Sequence, residues 1–280
     1  MQRVLSTYLF RQHKLTTATL AEVHAAGFGA VELFCARSHF DYRDPVTVRE
    51  TSEWFEDHPL KMHSLHAPTS RESGPARESG VPISISDPER LRRLDAVDEM
   101  KRTLDVAEAV AFRFLVLHLG ASRESFDLRR MDAAFSSLEH LVVFAKQRGV
   151  TIALENTPGE LATPANLRHF IADTRLRDLR VCFDTGHAHM EDGVLPSWEA
   201  VRDLTVTTHF HDNHGDKDEH LLPFDGTIDW PAALHAMSTA PAAVGGLPCV
   251  LELRENGSQK LTLAQAATVF ERFEQARAAV

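Results

Sequence analysis

The sequence predicts a (β/α)8 barrel, and three observations carry the prediction. Eight short apolar, β-branched runs alternate with amphipathic stretches along the 280 residues. Six of these runs have near-continuous apolar interiors, as strands covered by helices should. No G-x-G-x-x-G follows the first run, which weighs against a doubly wound open sheet. No change in composition marks a boundary, so residues 1–280 read as a single barrel domain.

Taken in order, residues 3–10 are apolar and extended and read as the first strand. The N-terminal stretch has one Arg and no small-residue cleavage site, so it is not expected to be a signal peptide. Thr19-Leu-Ala-Glu22 has the form of a capping box for a short helix that Gly27 closes. Residues 30–34 are the second strand, and a helix follows near 46–57. Residues 60–65 are the third strand, ending at His66. Residues 69–87 break the rhythm. They are rich in Ser, Gly, Pro and charge, have no period, and are expected to form a lid loop.

Asp87-Pro88 is expected to cap the next helix, with an apolar stripe of Leu94, Val97, Met100, Leu104, Ala107 and Ala111. Residues 114–117 are the fourth strand, ending at His118. A helix with Met131, Phe135, Leu138, Val142 and Ala145 at helical spacing stops at Gly149. Residues 150–154 form the fifth strand, ending at Glu155, and Thr163-Pro164 caps the helix after it. The sixth strand, 179–183, ends in Asp184-Thr-Gly-His187. A short helix is expected near 197–204, and the seventh strand, 204–208, leads into a His-rich segment. Asp229-Trp-Pro231 starts another helix. Residues 248–251 are the eighth strand, ending at Glu252. Thr262-x-x-Gln265 boxes the last helix.

Composition narrows the function. No apolar run approaches the ~20 residues that span a bilayer, so no membrane partner is expected. Three scattered cysteines fit no disulfide framework and suit a cytoplasmic location; Cys182 and Cys249 read as small buried hydrophobes. The formal net charge of -10 has the wrong sign for neutralising nucleic-acid phosphates.

Barrel enzymes carry their sites at the C-terminal ends of the strands. Here those ends carry Glu32, His66, His118, Glu155, Asp184 with His187, His209 and Glu252, and the loop after strand seven adds Asp218 and His220. From the second strand to the eighth, each end bears a metal-ligand type of residue and none bears Lys or Arg. Carboxylates and imidazoles converging without a cation would repel or pair among themselves, and a divalent ion resolves this. His209 and His211, two apart on a strand, should share a face; His211 is expected to stand behind the ligand set. His24, His140, His169 and His235 fall on helices and read as solvated.

The motifs His66-Ala-Pro, His118-Leu-Gly, Glu155-Asn-Thr, Asp184-Thr-Gly-His187, His209-Phe-His-Asp-Asn, Asp218-Glu-His220 and Gly226-Thr-Ile-Asp-Trp230 resemble the xylose isomerase-like TIM barrel superfamily. That superfamily includes sugar phosphate isomerases and epimerases, inosose dehydratase and endonuclease four. The resemblance implies a core metal held by Glu155, Asp184, His209 and Glu252, with the two glutamates also acting as the acid–base pair. It implies an isomerase or epimerase of a small ketose, aldose or polyol working through an enediolate, with His66, His118 and His187 against substrate. In the endonuclease four branch, His66, His118, His187, Asp218 and His220 would bind further ions, making a zinc phosphodiesterase the alternative. A lyase of the inosose dehydratase type shares the same logic. Zn and Mn are the expected ions, with Co and Mg behind them. The expected partner is a small carbohydrate. Self-association follows only by analogy with relatives. Lys217, Arg254 and Arg71 are the candidate anion contacts. One departure stands out: relatives usually read Pro-Gly-x-Gly where this chain has Pro223-Phe224-Asp225-Gly226.

Overall fold

The computed structural model of the protein describes residues 2–71, 80–238 and 247–278. Its parallel strands close into an eight-membered barrel in chain order. They are β1 (Gln2–Ser6), β2 (Ala30–Phe34), β3 (Lys61–His66) and β4 (Phe114–His118), then β5 (Thr151–Glu155), β6 (Arg180–Asp184), β7 (Thr205–Phe210) and β8 (Pro248–Leu251). β8 pairs back onto β1, with Gln2 beside Pro248 and Leu5 beside Leu251. The helices are α1 (Thr17–Ala25), α2 (Pro45–Asp57), α3 (Arg90–Asp105), α4 (Leu128–Lys146), α5 (Pro164–Thr174), α6 (Thr185–Met190), α7 (Val194–Val201), α8 (Trp230–Ser238) and α9 (Gln259–Ala278). The expected (β/α)8 barrel is therefore the fold.

Element ends depart from the sequence pattern for local reasons. β1 stops at Ser6, because the Ser6 hydroxyl accepts from Tyr8 N and opens a 3₁₀ turn, Thr7–Phe10. The cap of α1 is Thr16, whose Oγ1 accepts from Thr19 N at 3.2 Å, so the expected Thr19 box lies inside the helix. Asp87 turns the chain by accepting from Glu89 N at 2.8 Å, and α3 begins only at Arg90. Leu94, expected on its apolar stripe, is half exposed, whereas Ala96, Val97, Met100 and Leu104 are buried. Thr262 sits in the first turn of α9, its hydroxyl donating back to Ser258 O at 3.0 Å. In the expected lid segment, Ser70–Arg71 pairs antiparallel with Val81–Pro82; residues 72–79 lie outside the described residues.

The main core lies between barrel and helices. Inside the barrel, small apolar groups fill two plugs: Val4, Ala30 and Val250, and Val116, Ala153 and Cys182. All three cysteines are buried free thiols. These plugs form the floor on which the polar end rests.

Candidate metal centre

Period-two alternation lifts the polar residues off that floor. Two residues beyond Ser64, Val116, Ala153, Cys182, Thr207 and Val250, on the same face of each strand, stand His66, His118, Glu155, Asp184, His209 and Glu252. All of these but His118 are buried.

Glu155 is the hub. Its Oε2 accepts from His66 Nε2 and His118 Nε2, each at 3.2 Å. Its Oε1 faces His209 Nδ1 at 3.2 Å and His187 Nδ1 at 3.3 Å. Glu252 Oε2 lies 3.4 Å from His209 Nδ1. Ligand atoms of Glu155, Asp184, His209 and Glu252 fall within 4.8 Å of one another, and so do those of His66, Glu155 and His209. Glu32, read as a strand end, sits one layer lower. It accepts from Ser64 Oγ at 2.8 Å and His209 Nε2 at 3.3 Å, holding the His209 ring from below.

A second cluster forms beside the first from His187, His211, Asp218 and His220. Asp184 links the two. It caps α6 by accepting from His187 N at 2.7 Å, and its Oδ2 lies 3.0 Å from His211 Nε2. Asp218 Oδ2 is 3.1 Å from His220 Nε2 and 3.5 Å from His187 Nε2. Tetrahedral zinc with bonds near 2.0 Å has ligand–ligand edges of roughly 3.3 Å, so these spacings suit such an ion. His211, expected to stand behind the ligand set, lies against Asp184. Its ring stacks on His220 at 4.2 Å, and a Cβ on Gly186 would collide with it at 2.0 Å, so only glycine fits there.

The electrostatics follow from burial and pairing. Burial alone would raise the Glu155 carboxyl, but the imidazoles of His209 and His118 hold it well below the usual carboxylate range. Glu32 is likewise opposed by burial and pulled to about 2 by His209 and His66. Burial disfavours a charged His66, yet its bond to Glu155, with Glu252 and Glu32 nearby, raises it to about 9. Burial opposes charge on His187 too, but Asp184 and Asp218 push it well above the ordinary imidazole range. One ligand-type atom fits less well into this web: Asp218 Oδ1 is buried without a hydrogen-bond partner. Leaving such an atom unmet costs about 1–3 kcal/mol. A divalent ion meets carboxylate oxygens and imidazole nitrogens directly, so the donor set fits one.

The loop that carries Asp218 and His220 is fastened by Asp212. Its carboxylate accepts from Asn213 N (2.9 Å), Phe224 N (3.0 Å), Ile228 N (3.1 Å) and Trp230 Nε1 (2.7 Å). Phe224, where the resemblance led to an expected glycine, adopts φ of 75°. That region penalises a side chain by roughly 1–2 kcal/mol. Its ring contacts with Trp230 and Phe273, 5.9 and 5.6 Å between centroids, offset the strain. Gly226 is required, because a Cβ would lie 2.3 Å from Asp212 Oδ1. Trp230 is fully buried behind this loop.

A cavity of about 320 Å³ opens over both clusters, with Tyr8, Arg11, Phe34, His66, His118, Glu155, His187, Asp218, His220 and Glu252 among its lining. Tyr8 and Arg11, at the end of β1, were not legible as site residues. Among the expected anion contacts, Arg254 lines a second, outer cavity of about 840 Å³. Arg71 is paired with Asp95 at 2.9 Å. Lys217 is exposed and lines neither cavity.

Similarity to known proteins agrees with this architecture. The chain is 29% identical over 199 residues to uncharacterized protein y4fM of Sinorhizobium fredii, covering 64% of this chain and 63% of that relative. The chain thus spans just under two thirds of that protein's length. It is 26% identical over 237 residues to a probable endonuclease 4 of Haloquadratum walsbyi, covering 77% and 80% of the two chains. Among solved structures, a D-tagatose 3-epimerase-like protein superposes with a TM-score of 0.79 at 21% identity, covering 98% and 97%. The IolI protein with a bound zinc atom superposes with a TM-score of 0.76 at 16% identity, covering 98% and 96%. At these identities the structures show the fold. The model of the xylose isomerase-like TIM barrel matches residues 20–272, and the chain belongs to that family.

Proposed function

We propose that this protein is a divalent-metal-dependent isomerase or epimerase of a small sugar or polyol. The observation that carries the reading is the pair Glu155 and Glu252. Both line the inner cavity, and both belong to one cluster with Asp184 and His209. An epimerase-like protein of the same fold supports it.

In this reading Glu155, Asp184, His209 and Glu252 hold the principal ion, with His66 and His118 beside Glu155. Zn or Mn suits the set best, Co or Mg less well. A bound divalent ion supplies Lewis acidity, which polarises a substrate carbonyl and makes the neighbouring C–H acidic. The carboxylates then move the proton. Each Glu155 oxygen faces two imidazoles, whereas the imidazoles facing Glu252, His209 and His220, both approach its Oε2. Glu252 is therefore the freer base for removing the proton, and a proton held on the His66 or His118 imidazole, both hydrogen-bonded to Glu155, passes through that carboxylate to the opposite face of the enediolate, the imidazole being reprotonated from solvent as Glu252 releases its proton there. His66, His118 and His187 orient the hydroxyls of the substrate within the same cavity. A dehydratase would use the same proton removal and then expel a neighbouring hydroxyl.

The test is hydrogen exchange between substrate carbon and solvent, screened over ketoses and polyols with metal-loaded protein. Glu155→Gln and Glu252→Gln should each lower turnover by at least about 10³-fold, as loss of a proton-transfer group does, with the fold intact by circular dichroism. Unchanged exchange by Glu252→Gln would falsify its role as base.

A second reading is a phosphodiester hydrolase. The filled second cluster and the endonuclease 4 relative favour it, and the net charge of -10 weighs against it. Metal-dependent cleavage of an abasic-site duplex on a gel would establish this reading over the first.

A further inference from the structure

β1 is the strand whose end carries no metal-ligand type of residue. It leads instead into the turn Thr7–Phe10, which ends on Arg11. Arg11 is the one Lys or Arg among the described residues that line the inner cavity, and it also lines the outer one. No carboxylate lies within ion-pair reach of it among the described residues, in a chain with 40 acidic residues. It is held by stacking, its guanidinium carbon 4.5 Å from the centre of the Tyr8 ring. That ring is fixed in turn, tilted on His220 at 4.6 Å and edge-on to Phe34 at 5.1 Å. Among the described residues no hydrogen bond or ion pair takes up the N–H groups of the Arg11 guanidinium, so it is oriented to meet a ligand.

The outer cavity adds a second guanidinium, Arg254, together with the hydroxyls of Thr69 and Ser70. Its carboxylate, Glu255, faces His13 at 3.9 Å. An acid-rich cavity adjoining an arginine-lined one, the two sharing Tyr8, Arg11 and Thr69, sorts a two-ended ligand. Hydroxyls and a carbonyl go to the carboxylate–imidazole end, and an anion goes to the guanidiniums. Arginine matches the oxygens of phosphate through paired N–H donors. We propose that Arg11, with Arg254, forms an anion subsite for the phosphate monoester of a small sugar, so that the substrate is a sugar phosphate.

The inference rests on the sugar-isomerase reading, and the test separates the two. The probes are D-ribulose 5-phosphate and D-ribulose, titrated calorimetrically into the metal-loaded protein. The phosphorylated probe should bind at least about tenfold more tightly, the scale of charge-assisted hydrogen bonds. Arg11→Met should shrink that preference about tenfold, and Arg254→Met should shrink it less, with metal content unchanged in both. No preference in the parent protein, or a preference that survives Arg11→Met, would overturn the subsite; survival would put the phosphate on the metal. If the preference is present and lost with Arg11, yet neither probe exchanges carbon-bound hydrogen with solvent, the subsite stands and the isomerase reading falls. If an abasic oligonucleotide displaces the sugar phosphate and binds more tightly through Arg11, the subsite serves a nucleic-acid backbone and the sugar-phosphate assignment is overturned.

Discussion

His63 and His66 lie three residues apart on β3, both buried, and their protons behave oppositely. Burial holds His63 down at about 4, with Arg113 adding to it and Glu32 opposing. His66 meets the same burial penalty but is raised to about 9 by Glu155, Glu252 and Glu32. His63 Nε2 has only the Thr207 hydroxyl, at 3.1 Å. Burial therefore does not decide whether an imidazole is charged; the partner it faces does. The floor of the barrel keeps its histidine neutral and structural. The rim keeps its histidines against carboxylates, in an arrangement a cation can enter by displacing protons.

Three experiments would break or sharpen that contrast. The largest effect should come from chelation. An ion held at 1,000 times its dissociation constant contributes about 4 kcal/mol, so stripping it should lower the unfolding midpoint on the order of 10 °C for a chain of this size. Calorimetry with and without chelator checks this, and an unchanged midpoint would remove the metal from the account of the rim.

Next, His66→Ala should weaken metal retention about 10- to 100-fold, the range for losing a group that holds a metal site together. His63→Ala should leave metal content unchanged and cost about 1–3 kcal/mol in urea unfolding. Metal analysis after dialysis decides it: equal loss in both variants would mean that floor and rim are not distinct.

The smallest effect is a pH slope. The His63 pKa is lower in the folded protein than its ordinary 6.5, so its contribution is present in full above pH 6.5. As pH falls from 6.5 towards 4, the unfolded chain takes up a proton that the folded one refuses. Stability should then decline by about 1.4 kcal/mol per pH unit from this group. His63→Gln should flatten that limb by this amount; an unaltered slope would assign the acid sensitivity elsewhere.

The barrel and its rim were legible for one shared reason. Near-continuous apolar runs mark strands covered by helices, and Glu155, which ends one such run, falls on the inward face two steps above the plug residue Ala153. What escaped lies where that alternation stops. Tyr8-Leu-Phe10 prolongs the apolar run of β1, which hid the 3₁₀ turn and with it Arg11. β7 ends at Phe210, so His211 leaves the pleat and faces Asp184, a partner that the shared face with His209 did not name. Thr185-Gly186-His187 carries no helical pattern of its own, yet the Asp184 carboxylate caps it into α6. Phe224 fits a glycine's backbone only because Asp212, Trp230 and Phe273 hold it there, a tertiary effect that no local pattern carries.

The four donors gathered by Asp212 have a thermodynamic consequence. The chain between His211 and Trp230 is anchored at both ends to one carboxylate, and Leu221 N and O pair with Asp212 O and N at 3.0 and 2.9 Å. Asp218 and His220 sit on this anchored loop, so their ordering entropy is lost when the protein folds and not when a ligand arrives. Loading the second cluster should therefore carry little conformational-entropy penalty from this side of the barrel.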